Sequence, residues 1–437
     1  MKRNIFVFAL FLGVKIFASP TDTIPKIPFD GMNLTWINGQ NRQTDFPLVL
    51  SDKKTGETIV TGVAYLDTYF NYDFSNPIDN THTISSTMGR SKEFTLNLAC
   101  VGLETNYKNT IGRIWLQTGN MLNIVQELDA TVARGRNTST GNLKFIREAA
   151  AGYHFNKWYG VNFEMGIFMS YIGLESYITN ENWCYQRSMV CEFTPFYFSG
   201  ARLQVFPSKK YRTELWLLNG WQSYNSWNKF LGVGNSNYYR PNENIQLVAN
   251  FYGGNDSRTN TFRFHHDNSI VARYFHNIQS KGISQAAFSI NNHYGFQNGG
   301  GATASNQYMT GTSISNRVWF NKNKLAFTLR GDVASNPSLY LAYSPSPVAP
   351  NAFTDAIAKD SKQKLIMYQA TATFDIMPNQ FTTFRFEYAY RQCNVPYFAG
   401  HGGTTSPDGW VTTPTNNWRP DLRKTENRIS LAVNFRL

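Results

Sequence analysis

The stretch Ile429-Ser-Leu-Ala-Val-Asn-Phe-Arg-Leu437 decides how the rest of the chain is read. Ile429, Leu431, Val433, Phe435 and Leu437 are apolar, and Ser430, Ala432, Asn434 and Arg436 between them are small or polar. Successive side chains of a strand point to opposite faces, so this segment has one oily face and one wet face. It is as long as a tilted strand must be to cross a bilayer's hydrocarbon, roughly 9–11 residues. It also closes the chain with no polar tail. The pattern predicts the last strand of a transmembrane β-barrel.

Working back from it, alternating segments recur from Thr61 onward, separated in turn by tight turns and long polar loops. That unequal rhythm belongs to an outer-membrane barrel with short periplasmic turns and long extracellular loops. The predicted strands are Thr61–Asp73, Lys92–Glu104, Asn109–Thr118, Lys144–Phe155, Tyr159–Tyr171, Phe196–Phe206, Tyr211–Asn219 and Asn244–Gly253. Two short ones follow, Asn260–His265 and Ser269–Phe275. Ile283–Tyr294, Tyr308–Phe320, Leu325–Val333, Leu365–Ile376, Phe381–Arg391 and Thr425–Leu437 complete a sixteen-stranded antiparallel all-β barrel. Fourteen or eighteen would follow if the short pair merges or a loop hides a hairpin. One strand shows why the interior must be wet. Val161, Phe163, Met165, Ile167 and Met169 oppose a face that carries Glu164. A charge facing lipid costs about 2–4 kcal/mol at the midplane, so Glu164 turns inward to water.

Composition agrees. Charged residues are 16% of the chain and aromatics 15%, against about 25% charged in typical soluble domains. Mean hydropathy is −0.38, and no apolar run after Ala18 is long enough for a spanning helix. Lys2-Arg3, the apolar run Ile5–Phe17 and the small residue Ala18 predict a secretory signal peptide over residues 1–18. Residues 19–60, with Pro20, Pro25, Pro28 and Pro47, read as a periplasmic or luminal segment before the barrel of residues 61–437. The formal net charge of +12 is spread one residue at a time with no Lys/Arg run, which argues against nucleic acid. Cys100, Cys184, Cys191 and Cys393 are too few for a disulfide framework. Cys184 and Cys191 could bridge within one loop, and the pairing stays open.

The stretch from Glu148 to Arg202 contains Met165-Gly-Ile-Phe-Met-Ser-Tyr-Ile-Gly-Leu-Glu-Ser176 and Thr194-Pro-Phe-Tyr-Phe-Ser-Gly-Ala-Arg202. With Tyr65-Leu-Asp-Thr-Tyr-Phe-Asn-Tyr72 and Asn219-Gly-Trp-Gln222, it resembles the OmpL-like β-barrel porin-2 family over most of the chain. The resemblance implies an outer-membrane barrel that forms a pore in a Gram-negative bacterium. It does not supply the solute. This chain departs from the common aromatic terminus, ending in Leu437.

Strand parity puts Arg113, Arg202, Arg212, Arg263, Arg273, Arg317, Arg330, Arg385, Arg391, Arg428 and Arg436 inside, with Asp67, Glu164, Glu214, Asp332, Asp375 and Glu387. Arg113, Glu164, Arg202, Arg212, Glu214, Arg317, Arg330, Arg385, Glu387 and Arg391 are the expected pore lining. The basic excess would favour anions, whereas pairing across strands would merely fill the wall. His265-His266-Asp267 is the densest set of metal-ligand residues, but neighbours on a strand face opposite ways, so no metal or cofactor is expected. Asn298-Gly-Gly-Gly301 lacks the Lys-Ser/Thr of a phosphate cradle. None of the seven histidines sits in a nucleophile motif, so no enzyme activity is expected. Loop tryptophans Trp183, Trp221, Trp227, Trp410 and Trp418 are candidates for stacking on solutes, for packing the loops or for marking the bilayer interface. The expected partners are outer-membrane lipid, small hydrophilic solutes and further copies of the chain, as trimers. No patch in the sequence marks a subunit contact. The competing expectation is a plugged barrel that serves as a receptor, adhesin or scaffold through its long loops, such as Asp332–Lys364 and Gln392–Lys424.

Overall fold

A computed structural model describes residues 34–37, 43–82, 87–127, 129–131, 140–192, 194–226, 230–255, 261–305, 307–335, 340 and 365–437. The segment read as a signal peptide, Trp227 and most of the Asp332–Lys364 loop lie outside them.

Sixteen strands run in chain order, each antiparallel to the next. They are β1 (Thr58–Asp73), β2 (Phe94–Tyr107), β3 (Thr110–Thr118), β4 (Ile146–Phe155), β5 (Val161–Met169) and β6 (Tyr197–Ser208). Next come β7 (Tyr211–Leu218), β8 (Gly232–Asn242), β9 (Ile245–Asn255), β10 (Phe262–His276) and β11 (Ile283–Asn298). β12 (Tyr308–Phe320), β13 (Leu325–Ser335), β14 (Ile366–Ile376), β15 (Thr382–Cys393) and β16 (Thr425–Arg436) complete the wall. The terminal stretch closes it. Leu431 of β16 pairs with Phe70 of β1, and Asn434 with Asp67, so no strand edge is left for lipid to meet.

The total of sixteen matches the sequence reading, but two errors cancel within it. The segments Asn260–His265 and Ser269–Phe275 are one continuous strand, β10, and β8 has no counterpart among the predicted strands. Both failures have one cause. The outward row of β8 is Val233, Asn235, Asn237 and Tyr239, and β10 turns His266 and Asn268 outward at mid-strand. Neither shows the apolar alternation that marks a lipid-facing strand.

All connections at one end are short. The β2–β3 turn is the pair Lys108-Asn109, with φ of 48° and 66°, the left-handed pair of a type I′ hairpin, whose twist matches that of its strands. Loops at the other end are long, and Met121–Glu127 in one of them is helical. Before the barrel, Val49–Ser51 pairs with the start of β1. Residues 34–37 reach the short-turn end of the lumen, where Trp36 donates from its indole to the Glu243 carbonyl at 3.0 Å. Trp36 packs in a buried cluster with Trp183, Val271, Trp319 and Met377.

Candidate functional site

Polar and charged side chains of the wall fill the barrel, and one loop organises them. Residues 170–192 and 194–196, between β5 and β6, lie inside the barrel and carry a short 3-10 turn (Thr179–Glu181) and a helical turn (Met189–Glu192). Such irregular backbone is tolerated within a membrane protein only if its polar groups find partners. The wall supplies them. Arg385 donates to the carbonyls of Thr179 and Asn182 at 2.8 and 3.0 Å, and Arg330 to those of Gln186 and Arg187 at 2.8 and 3.2 Å. Arg317 donates to the Trp183 carbonyl at 3.1 Å. Wall carboxylates take the loop's N–H groups: Glu387 those of Tyr185 and Gln186, Asp332 that of Met189, and Asp267 that of Gly173. Asp67 adds the Thr179 and Tyr185 hydroxyls at 2.9 Å each, beside Asn97 and Asn434.

The ten residues expected to line the pore all sit on the interior face, and the loop divides them into two groups. Arg317, Arg330, Arg385, Glu387 and Arg391 are almost fully buried. The first four are engaged by the loop, and Arg391 pairs with Glu426 behind His82. The same half holds Arg317 and Arg385 on Asp375 at 2.6 and 3.0 Å, and Arg428 on Glu387 at 2.9 Å.

Arg113, Glu164, Arg202, Arg212 and Glu214 lie on β3 to β7, across from the loop. There the lumen opens into a cavity of about 440 Å3. Six arginines (Arg113, Arg147, Arg187, Arg202, Arg212 and Arg436) and five glutamates (Glu104, Glu148, Glu175, Glu181 and Glu214) line it. They are laced in pairs. Arg113 reaches both Glu148 and Glu164 at 2.8 Å, Arg202 bonds Glu164, and Arg212 lies 3.2 Å from Glu214. Across the gap, Arg436 of the closing strand holds Glu181 of the loop at 2.8 Å. A second cavity of about 200 Å3 adjoins it, lined on the wall side by Arg240, Ser269, Ser289, Asn291, Ser313 and Ser315. The two share Glu175, Ser176, Glu181 and Tyr238.

Several of these residues escaped strand parity. Arg147 and Glu148 are adjacent, yet both face the cavity because β4 bulges there: Trp115 pairs with Glu148 and Leu116 with Ile146, leaving Arg147 over. Its guanidinium lies 3.6 Å over the Trp115 ring. Glu175, Glu181 and Arg187 come from a loop with no periodicity to place them. At the paired histidines, His265 points inward and is fully buried, while His266 points outward. Trp183 and Trp221 are packed inside, whereas Trp410 is largely exposed.

All four cysteines are free and buried. Burial pushes the Cys184 thiol up to about 11 and the Cys191 thiol up to about 12, so neither is a thiolate at neutral pH. Maleimide is therefore expected to label the folded protein at none of the four and to label all of them after unfolding, counted by intact mass. Rapid labelling of the native barrel would contradict this packing.

Residues 60–435 match the model of a protein family described as "Putative beta-barrel porin-2, OmpL-like". The chain belongs to that family. No curated protein matches it in sequence. Among solved structures, the outer membrane channel DcaP of Acinetobacter baumannii superposes with a TM-score of 0.50 at 9% identity, covering 89% of this chain and 99% of that one. OprB of Pseudomonas putida superposes with a TM-score of 0.50 at 9% identity, covering 87% and 94%. At such identity the likeness is one of fold, a closed outer-membrane barrel. With the family, it places this porin in the outer membrane.

Proposed function

We propose that this protein is a passive diffusion channel for small hydrophilic solutes, exported by its signal peptide and assembled from several copies, three by preference. A second part of the proposal is a weak preference for anions; the third is that the protein carries out no catalysis. The observation that carries the channel reading is the charged cavity between β3–β7 and the inward loop. It is a water-compatible space in a barrel size that normally leaves an aqueous channel. Its ion pairs keep the fields short-ranged, so small polar molecules of either sign pass, and the arginines that reach into the cavity, with Glu164 buried behind Arg113 and Arg202, tilt the balance to anions. Liposomes containing the refolded chain are expected to swell in small sugars and to exclude large ones. Swelling indifferent to solute size, or none at all, would count against the reading.

The charge preference has its own test. Arg113→Gln combined with Arg212→Gln leaves four arginines against the five glutamates that line the cavity and Glu164 behind them. The zero-current potential in a salt gradient is then expected to cross from the anion to the cation side. An unchanged potential would mean that the selective constriction lies elsewhere.

A further inference from the structure

The outer face of the barrel is apolar on most strands and polar on one arc. Across β7 to β12, one row of directly paired residues runs Thr213, Asn237, Ala249, Asn268, Asn292, Thr312. All six point outward, because their strand neighbours Glu214, Ser236, Asn250, Asp267, Asn291 and Ser313 are the buried, inward ones. Asn268 lies between outward Phe264 and Ile270 on its strand, and Asn292 between Ile290 and Tyr294, so the row sits within the apolar belt. The row is bonded into a ladder. Thr312 donates to Asn292 at 2.8 Å, Asn292 to Asn268 at 3.3 Å, and Asn268 to His266 at 3.2 Å. A separate cluster on the other flank joins Tyr211, Thr213, Asn235 and Asn237. Among the described residues, every outward Asn or His of the wall more than two residues from a strand end lies between Gly232 and Phe320.

Hydrocarbon offers such groups no partners, while a second barrel does, and in membranes amides, hydroxyls and imidazoles serve as contacts between proteins. We propose that this arc is where copies of the chain meet. Its polar groups are amides, hydroxyls and an imidazole, and each of these classes both donates and accepts, so the surface complements itself with no need for an opposite charge. The two polar flanks are separated by the small and apolar outward residues of β9, among them Leu247, Ala249 and Phe251. That arrangement lets one flank of a copy meet the other flank of the next around a rotation axis, as ring closure requires. The area suffices: six strands about 4.8 Å apart under a belt about 25 Å tall present roughly 700 Å2, near the 800 Å2 each partner gives a stable interface.

The test reports on assembly, not conduction, so it stands or falls separately from the channel reading. Asn237→Cys combined with Asn292→Cys, and in parallel Asn237→Cys combined with the neighbouring outward Ile290→Cys, are placed in the full chain in its native membrane and treated with a membrane-permeant bismaleimide. The native thiols are buried and stay silent. Asn292→Cys together with Asn237→Cys is expected to give products at two and three chain masses. Leu66→Cys, on the outer face of β1 opposite the arc, is expected to give none. Crosslinking at Leu66→Cys as strong as on the arc would overturn the proposal, as would both paired-cysteine variants staying uncrosslinked. A product whose added mass is not that of this chain would assign the arc to a different partner.

Discussion

Replacing Leu174–Glu192 by a short Gly-Ser link is expected to raise the single-channel conductance severalfold. The loop occupies the half of the lumen beside β12 to β16, and its removal exposes Arg317, Arg330, Arg385 and Arg428, now buried under or beside it. Four arginines against Asp67, Asp332, Asp375 and Glu387 then face open water, and the deleted segment takes away Glu175, Glu181 and Glu192 against Arg187 alone, so the anion preference strengthens as the pore widens. The wall itself holds, because its strands bond to one another and not through the loop. Conductance measured on the deleted and full chains in the same bilayers checks this. Equal values for the two would mean that ions do not pass the loop at all.

Glu387→Ala is expected to melt at a markedly lower temperature than the parent, with a loss of roughly 3–5 kcal/mol, the cost of removing one partner from a buried charge pair. Glu387 is 2% exposed. It accepts from Arg428 at 2.9 Å, from the Thr373 hydroxyl at 2.8 Å, and from the N–H groups of Tyr185 and Gln186 at 2.6 and 3.2 Å. Alanine leaves a buried guanidinium and two loop N–H groups without this partner. Glu387→Gln keeps an acceptor and is expected to lose less. Heating in detergent, followed by the shift of the folded band on gels, gives the order parent, Gln, Ala. An alanine variant as stable as the parent would show that the loop is not clamped at this point.

How much of this was legible in the sequence follows from what period a residue obeys. On strands such as β5 and β16, one face meets lipid and the other water, so a period of two reports both the strand and the inward charges Glu164, Arg428 and Arg436. Where the outer face is not apolar, that signal fails: β8 went unseen and β10 was divided at His266 and Asn268. Those strands carry the polar arc proposed as the subunit contact, so the failure has a physical cause. The bulge that turns both Arg147 and Glu148 inward breaks the period by one residue. The loop obeys no period, and its place is fixed by partners as distant as Glu387, which meets Tyr185 across 202 positions of chain. Parity could say that Arg317, Arg330 and Arg385 point inward. It could not say that a loop would cover them.

Single-channel recording of the refolded full chain in a planar bilayer, under a salt gradient, tests the central claim most directly. The account predicts steady ohmic openings whose zero-current potential lies slightly to the anion side. A barrel shown to be folded by its heat-modifiable band, yet silent in the bilayer, would contradict it and make the inward loop a plug.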